Sequence, residues 1–313
     1  MKALVTGGAG FIGSHLSELL LSRGATVRAI DAFTDFYPRP LKERNLEALR
    51  GRAGYEFIED DLRAVDMNRL LDGVKHVFHL AAQAGVRRSW GSEFSVYTGL
   101  NVDSTQCLLE ACAKRPIERL VYASSSSVYG DDVEMPMRET ALPQPVSPYG
   151  VTKLAAEQLC YLYHVNFGVP TVSLRYFTVY GPRQRPDMGF NRFFSAILKG
   201  QPLIQYGDGL QTRDFTFVAD AARATADAAV RGVPGRVYNI GGGARVSLKE
   251  VFAMLARVSG REVKIDQQGP QKGDMRDTYA DTSRAKADLG FAPTVTLEEG
   301  LGQMWRWMEA TSK

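Results

Sequence analysis

The chain has 313 residues, 44% of them hydrophobic and 23% charged, and its 38 basic and 35 acidic side chains leave a formal net charge of +3. That length buries a substantial core, in one large domain or two closely joined ones, and the near-neutral balance gives no reason to invoke nucleic acid or a membrane surface. Cys107, Cys112, Cys160 and the four histidines follow neither a disulfide framework nor a metal-knuckle spacing, and no segment has transmembrane length or a leader pattern. We therefore expect no metal and a reduced, cytoplasmic setting.

An apolar run from Lys2 enters Thr6-Gly7-Gly8-Ala9-Gly10-Phe11-Ile12-Gly13, and a helical pattern follows through Arg23. Glycines at Gly7, Gly10 and Gly13 let backbone approach a phosphate, and the new helix offers unpaired amides to its charge. The spacing is one residue away from the commonest dinucleotide fingerprint. A second apolar run, Ala25 to Ile30, ends at Asp31, a carboxylate suited to the adenine-side ribose of NAD and repelled by an added 2′-phosphate. Together strand, turn, helix, strand and acid predict an NAD site in which Phe11 and Ile12 take part.

Phe33 to Pro40 reads as a loop, with a short helix around Lys42 and Arg44. Tyr55 to Glu59 is the next strand; Asp61 and Leu62 at its end are candidates for adenine contact, with a helix N-cap as the competing role. Val74 to Leu80 is a fourth strand. Leu80, Ala81 and Gln83 beyond it are candidate cofactor contacts, and Arg87 and Arg88 are either anion ligands or ordinary surface cations. A long helical pattern, Glu93 to Ala113, contains Asn101, which is either solvent-facing or turned inward to orient a neighbour. Arg119 to Ser124 is a strand that runs into Ser125-Ser126-Ser127, hydroxyls at the end of a buried strand where ligands collect.

Tyr149-Gly150-Val151-Thr152-Lys153 carries the chemistry. The i,i+4 spacing puts phenol and ammonium on one helical face, where the lysine charge favours phenolate. Pro170 begins the sixth strand, and Tyr176 follows as a further cofactor contact. Alternating strands and helices predict an α/β fold with a parallel sheet covered on both faces.

The motifs resemble the extended short-chain dehydrogenase/reductase superfamily, among the nucleotide-sugar epimerases and decarboxylases, over nearly the whole chain. His79 to Arg87, and more closely Arg175-Tyr176-Phe177-Thr178-Val179-Tyr180-Gly181-Pro182-Arg183-Gln184-Arg185-Pro186-Asp187-Met188, resemble the UDP-glucuronate 4-epimerases. The resemblance implies a Rossmann-type doubly wound parallel sheet with a smaller mixed α/β substrate-binding region. Residues 1–175 would mainly hold NAD and 176–313 mainly the UDP-sugar, with segments around 210–240 returning to the first part. It also implies bound NAD, UDP-glucuronate and UDP-galacturonate as substrate and product, and a homodimer built on helices 93–113 and 147–167. Thr178 departs from the Asn common in UDP-glucose 4-epimerases, and Ser127 from the Glu common in UDP-glucuronate decarboxylases. Both of those enzymes, and an NAD-responsive binding protein without activity, are the alternatives.

Carried over residue by residue, Tyr149 is the acid/base, Ser125 holds the reacting oxygen and Lys153 supports the tyrosine and the cofactor. Ser126, Ser127 and Arg185, with Arg87 as second choice, are candidates for the uronate carboxylate. Tyr206 and Gln211 belong to the uridine pocket, Arg213 and Arg276 to the diphosphate, and Asp274 to the uridine ribose. Arg192 is a candidate diphosphate contact and Phe193 a wall of its pocket, with packing and solubility as their other reading.

Overall fold

The computed structural model describes residues 1–269, 273 and 275–311. Six strands alternate with helices over the first part of the chain. They are β1 (Lys2–Thr6), β2 (Thr26–Asp31), β3 (Tyr55–Glu59), β4 (His76–His79), β5 (Arg119–Ser125) and β6 (Thr171–Tyr176). The intervening helices are α1 (Phe11–Ser22), α2 (Arg39–Leu46), α3 (Met67–Leu70), α4 (Phe94–Tyr97), α5 (Ser104–Ala113) and α6 (Pro148–Phe167). Beyond Tyr176 come β7 (Val179–Tyr180), α7 (Gly189–Leu198), β8 (Leu203–Tyr206), β9 (Thr212–Asp214), β10 (Thr216–Phe217), α8 (Val218–Arg231), β11 (Val237–Ile240), β12 (Arg245–Ser247), α9 (Leu248–Ser259), β13 (Ile265–Gln268), α10 (Ser283–Leu289) and α11 (Leu297–Thr311).

Seven strands form one sheet in the order β11-β6-β5-β4-β1-β2-β3, every neighbouring pair parallel. Side chains alternate across it. Ala3 and Val5 of β1 join Leu16 and Leu20 of α1 and the alanines of α8, while Leu4 meets Leu108 and Leu109 of α5 and Ala156 and Cys160 of α6. Both faces are thus covered, which is why the central strands read as continuous apolar runs. The chain reverses direction across the sheet between β1 and β4, and the crevice at that point opens at the strands' carboxyl ends.

The remaining strands pair in twos: β8 with β13 and β7 with β10 in parallel, β9 with β12 antiparallel. Aromatic rings weld these to the C-terminal helices. Phe193 of α7 meets Phe252 of α9 edge-on with ring centroids 5.1 Å apart, and Phe194 lies 5.3 Å from Trp305 of α11. Phe193 is thus engaged in packing, the second of its two sequence readings, and Arg192 beside it is exposed.

The helical pattern from Glu93 to Ala113 differs in one respect from a single regular helix. Thr98–Asp103 is a π segment between α4 and α5, and its extra residue turns Asn101 into the interior.

Candidate active site

Every candidate cofactor residue lines one pocket at the crevice: Gly7, Gly10, Phe11, Ile12, Gly13, Asp31, Asp61, Leu62, Leu80, Ala81, Gln83, Tyr149, Lys153 and Tyr176. The β1–α1 turn closes tightly enough that glycine is compulsory at its end. A Cβ on Gly13 would lie 2.2 Å from the Gly7 carbonyl oxygen. No side chain caps the start of α1, so its first amides face the pocket, the arrangement that suits a pyrophosphate. Asp31 accepts from the Ala9 amide at 3.2 Å and the Phe33 amide at 2.9 Å, which fixes its carboxylate; burial raises its pKa against those bonds. The cradle and the acid fit a dinucleotide.

A hydroxyl–imidazole chain ties the ends of β1 and β4 to α5. Thr6 Oγ1 accepts from the Leu80 and Ala81 amides at 3.1 and 3.0 Å and lies 2.8 Å from His79 Nδ1. His79 Nε2 lies 2.9 Å from Thr105 Oγ1, whose own proton goes to the Asn101 carbonyl at 2.6 Å. Complete burial lowers the His79 pKa to about 3, so the ring is neutral. The partners then set its tautomer: Thr6 donates to Nδ1, and Nε2–H donates to Thr105. Asn101 ties the next loop, accepting from the Gln83 amide at 2.7 Å and donating to the Gln83 carbonyl at 3.0 Å and Thr152 Oγ1 at 2.9 Å. The inward reading of Asn101 holds, and it sets Gln83 beside the residue preceding Lys153.

Ser147 caps α6 by accepting from the Gly150 amide at 3.1 Å, and Pro148 occupies the first helical turn. Tyr149 is therefore presented at the helix start, its ring edge-on to Tyr97 at 6.3 Å, with Ser125 among the groups that favour its ionised form. Lys153 lies one turn later, its Nζ 4.4 Å above the Tyr122 ring. Arg185 lines the same pocket, bound to Asp187 by two 3.0 Å bonds.

The electrostatics differ from the simple expectation that the lysine holds its tyrosine ionised. Burial raises the Tyr149 pKa, and the groups opposing it are the Ser125 hydroxyl and the Arg185 charge. Burial lowers the Lys153 pKa to about 7, with Glu157 among the groups pushing back. Desolvation acts on both members of the pair and outweighs their proximity.

Ser126 and Ser127 form the short turn after β5, where the Ser127 amide donates to Ser125 Oγ at 3.1 Å. Thr178 follows β6, its carbonyl accepting from the Thr216 amide at 3.0 Å. Farther out, the Arg87 guanidinium stacks 4.4 Å over the Tyr206 ring. Gln211 donates to the Tyr206 carbonyl at 2.8 Å, and its own buried Oε1 has no hydrogen-bond partner among the described residues. Arg213 donates to the carbonyls of Thr212, Arg276 and Met275 at 2.8, 3.0 and 2.6 Å, and Arg276 grips Asp208 at 2.9 and 3.0 Å. Both candidate phosphate ligands thus sit where the 275–281 segment meets the β8–β9 turn, engaged with protein groups. Asp274 lies outside the described residues.

Phe36, Tyr37, Thr34 and Lys42 also line the pocket, as does Ser124. The loop reading of 33–40 assigns these residues no part in the site; the aromatic pair Phe36-Tyr37 within that loop is the available signal. Among the described residues no cluster of three His, Cys, Asp or Glu side chains is placed to hold a metal ion, and no helix is long and apolar enough to cross a membrane.

Comparison with known proteins gives concordant results. The model of a family described as the NAD dependent epimerase/dehydratase family matches residues 3–241. YtcB of Bacillus subtilis (strain 168), named as an uncharacterized UDP-glucose epimerase, is 45% identical over 305 residues, 96% of either chain. A UDP-glucuronate 4-epimerase of Thermodesulfobacterium geofontis (strain OPF15) is 37% identical over 308 residues, 97% of this chain and 95% of its own. The crystal structure of UDP-glucuronic acid 4-epimerase from Bacillus cereus, in complex with UDP-glucuronic acid and NAD, shares 43% identity and a TM-score of 0.96 over 99% of both chains.

Proposed function

The chain belongs to the NAD dependent epimerase/dehydratase family, and on that footing we propose that it interconverts UDP-glucuronate and UDP-galacturonate by inverting C4. It is an NAD-dependent epimerase of the short-chain dehydrogenase/reductase type. The observation that carries the substrate assignment is Arg185, a guanidinium lining the same pocket as the Tyr149 phenol. A cation at the reacting centre suits a sugar that carries a carboxylate. Its two bonds to Asp187 support the reading, because a carboxylate fits that edge of the guanidinium and the substrate's own would share or replace it.

The glycine turn, Asp31, Asp61, Leu62, Leu80, Ala81 and Gln83 would hold NAD. Bound there, it supplies the acceptor and later the donor of one hydride. Tyr149 takes the proton of the C4 hydroxyl, and Ser125, which favours the ionised phenol, holds the same oxygen and relays the proton. Lys153, poised near neutrality, charges or discharges as the phenol loses or regains its proton. The 4-keto sugar turns over, and as the hydride returns to the other face of C4 the same tyrosine gives its proton to the C4 oxygen.

Anchoring falls on UDP, through Tyr206, Gln211, Arg213, Arg276, Asp274 and Arg192, because the ring itself must move. The unpartnered Gln211 Oε1 supports a ligand donor at that position. Ser126, Ser127 and Arg185 steady the carboxylate; a β-keto acid loses carbon dioxide when the breaking bond aligns with the carbonyl, so fixing it away from that alignment protects the 4-keto intermediate. Residues 1–175 mainly serve the cofactor and 176–313 mainly the sugar nucleotide, a division supported by β11 and α8 returning to the main sheet.

Incubation with UDP-glucuronate should yield UDP-galacturonate with little carbon dioxide, and far slower conversion of UDP-glucose. Conversion of the neutral sugar alone would sink the specificity, and carbon dioxide as the main product would make the enzyme a decarboxylase.

We also assign the chain a homodimer and a cytoplasmic setting, the latter supported by three unpaired cysteines. Val151, Leu162 and Val165 are 46%, 45% and 60% exposed and lie about three and four turns apart on α6, so they share a face. Phe94 and Val96 of α4 are exposed as well. A charged residue on that stripe, Val165→Glu, should halve the mass seen by sedimentation; a monomeric parent would refute the assignment.

A further inference from the structure

The loop that follows Asp31 brings one ring into contact with two other parts of the chain. Phe36 lines the pocket wall. The Arg88 guanidinium stands 5.1 Å from its ring centroid and that of Arg185 stands 5.7 Å away. Arg88 also donates to the Phe36 carbonyl at 3.4 Å. Gly85 runs beneath the ring edge, so closely that a Cβ there would meet it at 3.1 Å. Three segments far apart in sequence, 33–37, 84–88 and 185–187, converge on this one side chain.

Its neighbour is fixed in the same way. Lys42 Nζ lies 4.8 Å over the Tyr37 ring and donates to the Thr34 carbonyl at 2.7 Å, which pins the loop from behind. Phe36 therefore projects from an anchored stem, and its face is open to cations from the first half of the chain and from the second.

A ring at the pocket wall has little to do with proton transfer. Retention is the requirement it fits. A reaction that removes a hydride and returns it to the same sugar fails whenever reduced cofactor leaves between the two halves, so the dinucleotide must stay put while the sugar turns over. Guanidinium–ring contacts within about 6 Å are individually modest, and two of them on one ring add up.

We propose that Phe36 is a latch over the dinucleotide, closed by Arg88 from one side and by Arg185 from the sugar-nucleotide side. Because Arg185 is also the residue assigned to the substrate carboxylate, filling the sugar site tightens the hold on the cofactor. The second clause rests on the substrate reading above; the first does not.

The test follows release of NADH from the loaded protein by the loss of its fluorescence on dilution into an NADH scavenger. In the absence of sugar, Phe36→Ala should release NADH about tenfold faster than the parent, and Arg88→Ala about threefold faster. Phe36→Leu, which keeps the bulk and loses the ring face, should fall between parent and alanine. Thermal midpoints of Arg88→Ala and Phe36→Leu should stay with the parent. Release from Phe36→Ala within twofold of the parent overturns the latch, as does full recovery of retention by Phe36→Leu. Saturating UDP-glucuronate should slow release from the parent and have no such effect on Phe36→Ala. If the first series holds and this last effect is missing with UDP-glucuronate but present with UDP-glucose, the substrate reading has failed and the latch stands.

Discussion

Tyr149→Phe is expected to lower kcat by three orders of magnitude or more while leaving cofactor and UDP-sugar binding within a fewfold of the parent. The ring sits edge-on to Tyr97 and on the first turn of α6, so phenylalanine fills the same space. What goes is the hydroxyl assigned to take the C4 proton and give it back. A positioned acid/base contributes about 10² to 10⁴ in rate, and here it acts in both halves of the reaction. Ser125→Ala supplies the companion measurement. It removes a hydroxyl that favours the phenolate, so the pH at which kcat reaches half its plateau should move to higher values. A Tyr149→Phe enzyme within tenfold of the parent, or a Ser125→Ala profile displaced to lower pH, would contradict the assignment.

The parts of this site visible in sequence were those held within one strand–loop–helix step. Gly7 to Gly13, Asp31, Ala81 and Tyr149 each follow a buried strand or open a helix, and parallel topology then delivers every carboxyl end to one crevice. What stayed hidden depended on partners remote in the chain. Arg213 spends its donors on carbonyls 62 and 63 residues away, and no local pattern announces that. Phe193 had two open roles until Phe252 appeared beside it. Asn101 looked like any polar residue on a helix, because one inserted residue in the π segment decides which way it points. The tyrosine–lysine pair was legible as a pair but not in its charge state, since desolvation is a property of the completed fold and the spacing reports only proximity.

That same dependence on the completed fold makes Glu157 the residue whose loss should damage stability most. It lies one turn past Lys153 on α6, with its side chain 2% exposed, against an Arg175 side chain 3% exposed on β6. The carboxylate accepts from Arg175 Nη2 at 2.6 Å and Nε at 3.0 Å, and from Ser124 Oγ at 2.6 Å. The guanidinium also covers the Tyr129 ring at 4.6 Å, and its Nη1 is already without a partner among the described residues. Truncation to alanine leaves a buried cation with nothing to neutralise it, which costs about 3–5 kcal/mol, against a total stability for folded domains of about 5–15. Glu157→Ala should therefore unfold at markedly lower urea than the parent. The double variant Glu157→Leu with Arg175→Leu should recover much of the loss, because exchanging a buried ion pair for apolar groups is often neutral. Recovery of folding need not restore turnover. Ser124 lines the pocket and would lose the acceptor that orients it, and Lys153 would lose a charge that raises its pKa, so the recovered protein should fold well and turn over slowly. A single variant within about 1 kcal/mol of the parent would show that the pair is dispensable to the fold.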